Sequence, residues 1–290
     1  MEVTTDISPV NAVDSLVGKY NDLRHEIGKV IVGQEKAIQL VIISIFCRGH
    51  CLLVGVPGLA KTLLVNTISK TLGLTFNRIQ FTPDLMPSDI IGTEILDENR
   101  KFRFVKGAAG TRYILGDPFF VLATQNPIEH EGTYPLPEAQ LDRFMFNILM
   151  DYPSHEEELR IVKQTTSDYE AAPEIVLHGE DIAAYQRLIR QIPVADNVLE
   201  YAVNLAGKTR PGTKNSPPVV NDYLTWGAGP RASQYLTLGA KCHAALHGKY
   251  SPDIDDVKAV ARPILRHRII RNYKAEAEGI GVEKIVEELL

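Results

Sequence analysis

Apolar residues recur at helical spacing from the start of the chain. Val13, Leu16, Val17, Tyr20, Leu23 and Ile27 fall on one side of a helix over residues 12–28. Gly33-Gln34-Glu35-Lys36 opens a second helix that runs to about Phe46. The run Cys51-Leu52-Leu53-Val54 is short, apolar and stopped by a glycine, the pattern of a parallel strand buried on both faces. Helical spacing returns over 62–72. Residues 76–81 read as a second strand, 94–105 as a hairpin turning at Asp97-Glu98-Asn99, and 119–123 and 146–150 as two more buried strands. Strands that alternate with helices predict an α/β fold, a parallel sheet closed by right-handed crossovers.

The pattern changes near Asp151-Tyr152-Pro153. Beyond it only helical spacing is found, over 156–166, 181–190, 196–209, 231–247 and 253–266, with the loop Arg210-Pro211-Gly212-Thr213-Lys214-Asn215-Ser216-Pro217-Pro218 between two of them. The expected organisation is an α/β domain over 1–153 and an all-α domain over 154–290. The chain has no internal repeat and no low-complexity tract.

Length and composition narrow the classes. A chain of 290 residues exceeds one small domain and fits a large α/β domain with a smaller companion. With 44% hydrophobic and 23% charged residues, general disorder is excluded. A formal charge of −5 provides no overall positive field for nucleic acid and leaves room only for a local basic patch. No apolar run nears the roughly 18 residues of a membrane helix; the longest, 40–47, contains Ser44 and ends at Arg48. Met1-Glu2-Val3-Thr4-Thr5-Asp6 lacks the basic region and apolar core of a secretory signal, so a cytoplasmic protein is expected. Three cysteines form no disulfide framework and fit a reducing compartment. Cys47, His50 and Cys51 with the distant Cys242 and His243 match no common zinc spacing, so the cysteines are expected as small buried apolar side chains.

The chemistry-bearing motif is Gly55-Val56-Pro57-Gly58-Leu59-Ala60-Lys61-Thr62, continued by Leu63, between the buried strand and the helix over 62–72. This is the setting of a phosphate loop. Glycines let backbone N–H groups turn inward around an anion, and the helix start adds unpaired donors and a positive dipole end. Lys61 is the candidate for the β- and γ-phosphates and the Thr62 hydroxyl for Mg²⁺. Ala60 stands where the general pattern has glycine.

Longer blocks carry a resemblance. Val30-Ile31-Val32-Gly33-Gln34-Glu35, the phosphate loop with its Gly-Leu-Ala-Lys-Thr ending, Gln80-Phe81-Thr82-Pro83-Asp84-Leu85-Met86-Pro87-Ser88-Asp89, Ala123-Thr124-Gln125-Asn126-Pro127, residues 131–144 ending in Gln140-Leu141-Asp142-Arg143-Phe144, and Gly229-Pro230-Arg231-Ala232-Ser233-Gln234 are similar to the MoxR family of AAA+ ATPases. The similarity runs from about residue 25 to 272. It implies a nucleotide-binding α/β domain with an α-helical lid, ATP and Mg²⁺ as ligands, and a homo-oligomeric ring, usually hexameric. It also implies chaperone-like remodelling of client proteins, often with von Willebrand factor A-type partners, and no membrane. By the same resemblance Asn126 is the sensor 1 residue that holds the attacking water, and Arg143 is the arginine finger supplied to the next subunit. Arg231 is sensor 2, reaching the same phosphate from the lid, and Val32 and Gly33 line the adenine.

One part is missing. A phosphate-loop ATPase also carries a Walker B strand, an apolar run ending in Asp and often Glu, which orients Mg²⁺ and activates water. Ile95-Leu96-Asp97-Glu98 is too short and lies in the hairpin, and Ile148-Leu149-Met150-Asp151 follows Asn126 and leads out of the domain. The family's strand belongs between Phe102-Arg103-Phe104-Val105-Lys106-Gly107 and Thr111-Arg112-Tyr113-Ile114-Leu115, where only Ala108-Ala109-Gly110 stand; roughly 30–40 residues are absent by ordinary element lengths. Because a central strand is costly to remove, the favoured expectation is an ordinary ATPase whose sequence here skips that stretch. If the chain is complete, nucleotide binding with weak or no hydrolysis is expected, a nucleotide-gated scaffold. A nucleic-acid motor is the third reading, suggested by Arg262, Arg266, Arg268, Arg271 and Lys274 around His267, although spaced cations on a terminal helix are ordinarily a solvated face.

Overall fold

The computed structural model describes residues 9–79, 93–96, 102–105, 116–127, 136–168 and 171–290. The chain begins with helices α1 (Pro9–Gly28) and α2 (Glu35–Phe46), strand β1 (Cys51–Val54) and helix α3 (Lys61–Thr71). Leu16, Leu23 and Ile27 of α1 are fully buried, as the spacing requires, and α2 buries eight of its twelve residues. Strands β2 (Thr93–Leu96) and β3 (Phe102–Val105) pair antiparallel as the predicted hairpin; its turn residues Asp97, Glu98 and Asn99 lie outside the described residues, as do the Gln80–Asp89 block and Glu131–Pro135.

Strands β4 (Leu122–Gln125) and β5 (Phe146–Leu149) flank β1, both parallel to it, in the order β4-β1-β5. Cys51 is in register with Leu122 and Phe146, and Val54 with Gln125 and Leu149. β1 is therefore the inner strand, and its burial accounts for the continuous apolar run. Helix α4 (Glu138–Leu141) is a single turn that precedes β5.

From Ser154 the chain is largely helical: α5 (His155–Thr165), α6 (Gly179–Gln191), α7 (Asp196–Lys208), α8 (Pro218–Tyr223), α9 (Pro230–Leu246), α10 (Ile254–Leu265), α11 (Tyr273–Ala277) and α12 (Val282–Leu289). A small antiparallel pair, β6 (Leu224–Trp226) with β7 (Ile270–Arg271), is inserted among them. α9 packs on α10, α7, α1, α6 and α2, so one hydrophobic core is continuous from Val13 to Leu289. Ser154 caps α5 through a reciprocal bond with Glu157, and Asp253 caps α10 in the same way with Asp256. No helix among the described residues is long and apolar enough to cross a membrane.

Two expectations for the sheet are corrected. Residues 76–79 are not a strand, and Phe76 and Ile79 are 38% and 44% exposed. A strand needs a neighbour to receive its ladder bonds, and the described sheet ends at β4. The buried strand expected over 119–123 runs instead over Leu122–Gln125 and is only partly covered, with Phe119 and Val121 48% and 39% exposed. The three cysteines are buried as anticipated, and among the described residues no group of three or more His, Cys, Asp or Glu is placed to hold a metal.

Candidate functional site

The phosphate loop leaves β1 at the C-terminal end of the sheet and enters α3 at Lys61. Gly58 has φ +87° and Ala60 φ +54°, left-handed conformations that turn successive backbone N–H groups to one side. A Cβ added to Gly55 would fall 3.1 Å from Leu59 Cδ1 and from Met150 Cβ and O, so a side chain at the start of the loop would press on both neighbours. Pro57, Gly58, Ala60 and Thr62 are exposed and Val56, Leu59 and Lys61 half-buried; Leu63 is 46% exposed. Lys61 Nζ donates to the carbonyls of Gly55 and, at 2.8 Å, of Val56, which draws the ammonium over the loop. Among the described residues this is an anion cradle: a nest of amides, a helix start and a cation, with the Thr62 hydroxyl in the first turn of α3. A nucleotide's phosphates fit it, and Thr62 would supply one oxygen to Mg²⁺.

Other residues are carried to the same end of the sheet. The Gly55 N–H donates to Gln125 O at 3.2 Å, so Asn126, the next residue, stands beside the loop. Met150 N–H donates to Val54 O at 2.8 Å, and Gln34 Nε2 to Asp151 O at 2.8 Å. These bonds bring the Ile31-Val32-Gly33-Gln34 turn next to the loop. Gly33 and Gln34 are both left-handed, with φ +72° and +62°. A side chain at Gly33 would clash with the Glu157 carboxylate, 2.7 Å from its Oε1. A cavity of about 300 Å³, lined by Asn21, Arg24, His25, Ile31, Gly33 and Glu35, opens beside this turn.

The arginines are elsewhere. The turn Asp142-Arg143-Phe144 precedes Phe146, whose register partner Cys51 begins β1; Met145 N–H donates to His50 O at 2.7 Å. The turn therefore lies at the N-terminal end of the sheet, separated from the phosphate loop by the whole of β1, about 13 Å at the usual strand rise. Arg143 is exposed there, with no side-chain partner among the described residues. Arg231, in the first turn of α9, forms an ion pair with Asp142. The structure thus brings Arg231 to the Asp142-Arg143-Phe144 turn, at the end of the sheet opposite its own chain's phosphate loop.

Sequence reasoning missed the residue that organises this turn. Arg268 is 6% exposed. Its Nε donates to Asp142 Oδ1 at 2.9 Å, and its Nη atoms to the carbonyls of Asp142 (2.9 Å), Phe144 (2.6 Å), Met145 (3.3 Å) and Ile264 (2.5 Å). Burial pulls its pKa down, opposed by Asp142. Its neighbour His267 bonds Phe144 O at 3.0 Å through Nε2, and desolvation pushes that ring down to about 3. Since a carbonyl only accepts, Nε2 carries the proton of the neutral ring. A second cavity, about 230 Å³, is lined by Glu138, Asp142, Trp226, Gly229, His267 and Arg268.

The remaining cations of this stretch are also engaged. Arg262 pairs with Glu287 (3.1 Å), Arg266 with Glu283 (2.7 Å) and Lys274 with Asp222 (3.6 Å), while Arg271 donates to Ile280 O (3.0 Å). Arg262 and Lys274 remain exposed in surface pairs, as expected of a solvated face, whereas Arg266, Arg268 and Arg271 turn to partners within the chain, so the stretch is not one continuous basic face.

Comparison with known proteins agrees with this geometry. Residues 50–117 and 108–146 match, in two pieces, the model of the ATPase family associated with various cellular activities (AAA). Residues 218–289 match the AAA lid domain. The chain is 34% identical to the chaperone MoxR1 of Mycobacterium tuberculosis over 320 aligned positions, covering 98% of this chain and 85% of that one. It is 36% identical to the uncharacterized protein YeaC of Bacillus subtilis, over 91% of each chain. The crystal structure of a candidate ATPase from Cytophaga hutchinsonii superposes with a TM-score of 0.85 at 37% identity, over 96% of this chain and 95% of that one.

Proposed function

The chain belongs to the MoxR family of AAA+ ATPases, and on that premise we propose that it is a chaperone-like remodelling protein whose strong step is ATP binding and whose hydrolytic step is weak. The observation that carries the binding half is the cradle at Gly55–Thr62 with Lys61 drawn over it. Bound ATP supplies the γ-phosphate and Mg²⁺ the charge that offsets it; backbone amides, Lys61 and Thr62 hold them. Asn126, beside the loop, orients water through a neutral amide that needs no proton shift. Val32 and Gly33 face the base.

Weak hydrolysis is supported from three directions. No Walker B sequence is found. The MoxR1 alignment has 320 positions, 30 more than the 290 residues of this chain. The AAA match breaks into two pieces that meet at 108–117, where the segment is missing. Without a carboxylate to orient Mg²⁺ and its waters, phosphates are bound but water is poorly activated.

Arg143 and Arg231 sit too far from their own phosphate loop to serve it, so in this reading both act on the nucleotide of an adjoining copy in a homo-oligomeric ring. The ring acts on client proteins, with von Willebrand factor A-type proteins among its partners. A second reading, ordinary ATP-driven remodelling, is favoured by family membership and by the cost of removing a central strand. Titration calorimetry with Mg²⁺-ATP and phosphate release on the same sample separate them. Saturable binding with turnover far below the roughly 1 s⁻¹ at the low end of ordinary enzymes supports the proposal. Brisk turnover establishes the second reading, and absence of binding overturns both.

A further inference from the structure

Helix α5 is built for a partner that the described residues do not supply. None of its eleven residues is buried, yet Leu159 and Val162, three apart and hence on one face, are 48% and 50% exposed. The helix stands at the phosphate-loop end of the sheet, where Glu157 rests on Gly33. Its first turn is acidic, with Glu156 and Glu158 exposed close to Asp151. At the opposite end is Trp226, 67% exposed on β6, sharing the 230 Å³ cavity with Asp142 and standing close to Arg231 and the exposed Arg143.

We propose that Trp226 of one copy docks on the Leu159–Val162 face of α5 in the next copy, in a head-to-tail contact that delivers Arg143 to the neighbour's phosphate loop. This rests on the ring reading above and names the surfaces that make the ring. The two faces complement each other, apolar anchor to apolar stripe and Arg143 with Arg231 to an acidic helix start. They lie at opposite ends of one sheet, so a single copy cannot join them. A head-to-tail repeat pairs these unlike faces at every contact and closes into a ring when the rotation allows. A tryptophan at the centre of such a contact is the residue type that dominates binding energy.

The test is sedimentation velocity of the full chain with Mg²⁺ and a non-hydrolysable ATP analogue. Wild type is expected to assemble, and Trp226→Ala and Leu159→Glu each to raise the concentration at half-assembly by about tenfold or more, with nucleotide affinity and circular dichroism unchanged. Mixing the two variants should give dimers that neither forms alone, because a mixed pair retains one intact contact. Wild type that binds nucleotide yet stays monomeric overturns the ring reading and the docking with it. Wild type and both variants assembling alike overturns the docking alone. Should Trp226→Ala fail to fold, Leu159→Glu on the unburied helix decides by itself.

Discussion

Arg268 and Asp142, 126 positions apart, are joined twice: Nε to the carboxylate and Nη2 to the main-chain carbonyl, each at 2.9 Å. The Asp142-Arg143-Phe144 turn therefore takes its shape from the far end of the helical half. Asp142 also holds Arg231, so one carboxylate, 34% exposed, bridges the buried guanidinium of Arg268 and the exposed one of Arg231. The ring mechanism proposed here requires Arg231 to leave that carboxylate for a phosphate, while Arg268 stays.

Arg268→Ala should cost about 3–5 kcal/mol, because it leaves a carboxylate and several buried carbonyls without their donor. Arg268→Lys should recover only a small part, since an ammonium cannot fork across the turn as a guanidinium does. Urea unfolding measures both. A loss below about 1 kcal/mol for the alanine variant would mean the turn holds itself.

Ala60→Gly should stabilise the protein by about 1 kcal/mol, since an alanine at φ +54° bears a steric strain that glycine lacks. Thermal unfolding without nucleotide is the measurement. An unchanged or lowered Tm would show that the loop relaxes the strain in solution.

Lys61→Ala should abolish tight ATP binding and leave the fold intact, because the half-buried ammonium reaches over the loop to the carbonyls of Gly55 and Val56. In a calorimetric titration with an ATP analogue, affinity within about threefold of wild type, roughly 0.7 kcal/mol, would remove Lys61 from the site.

His267 gives stability a direction with pH. Its folded pKa, about 3, lies below the 6.5 of an ordinary imidazole, so between those values the unfolded chain binds a proton that the native ring does not. Stability from this group is therefore full above about pH 6.5 and falls as pH drops towards 3. His267→Gln should flatten the slope of unfolding free energy against pH between 6.5 and 4. Parallel slopes in the two proteins would place the titration elsewhere.

The legible parts of this chain were those fixed locally. The phosphate loop could be read because glycine spacing, a four-residue apolar run and a helix start coincide within a dozen residues. The long helices followed from spacing, and their ends agree to within about two residues where Ser154, Asp253 and Pro230 mark them. Residues 76–79 misled because their composition suits a strand, whereas strand formation depends on a neighbour that no local pattern reports. Arg268 escaped notice for a similar reason. In a spaced basic stretch nothing distinguishes the one guanidinium that turns inward, since its partner Asp142 is distant in sequence. Arg231 was identified by its Gly229-Pro230 helix start, but which end of the sheet it serves is a property of packing.

The position of β1 between β4 and β5 has a consequence for how such a chain can change over generations. The strand that leads into the phosphate loop is sheltered on both sides, while β4 and β5 close the described sheet. Substitutions on the outer sides of β4 and β5 can then accumulate without disturbing the floor under the loop.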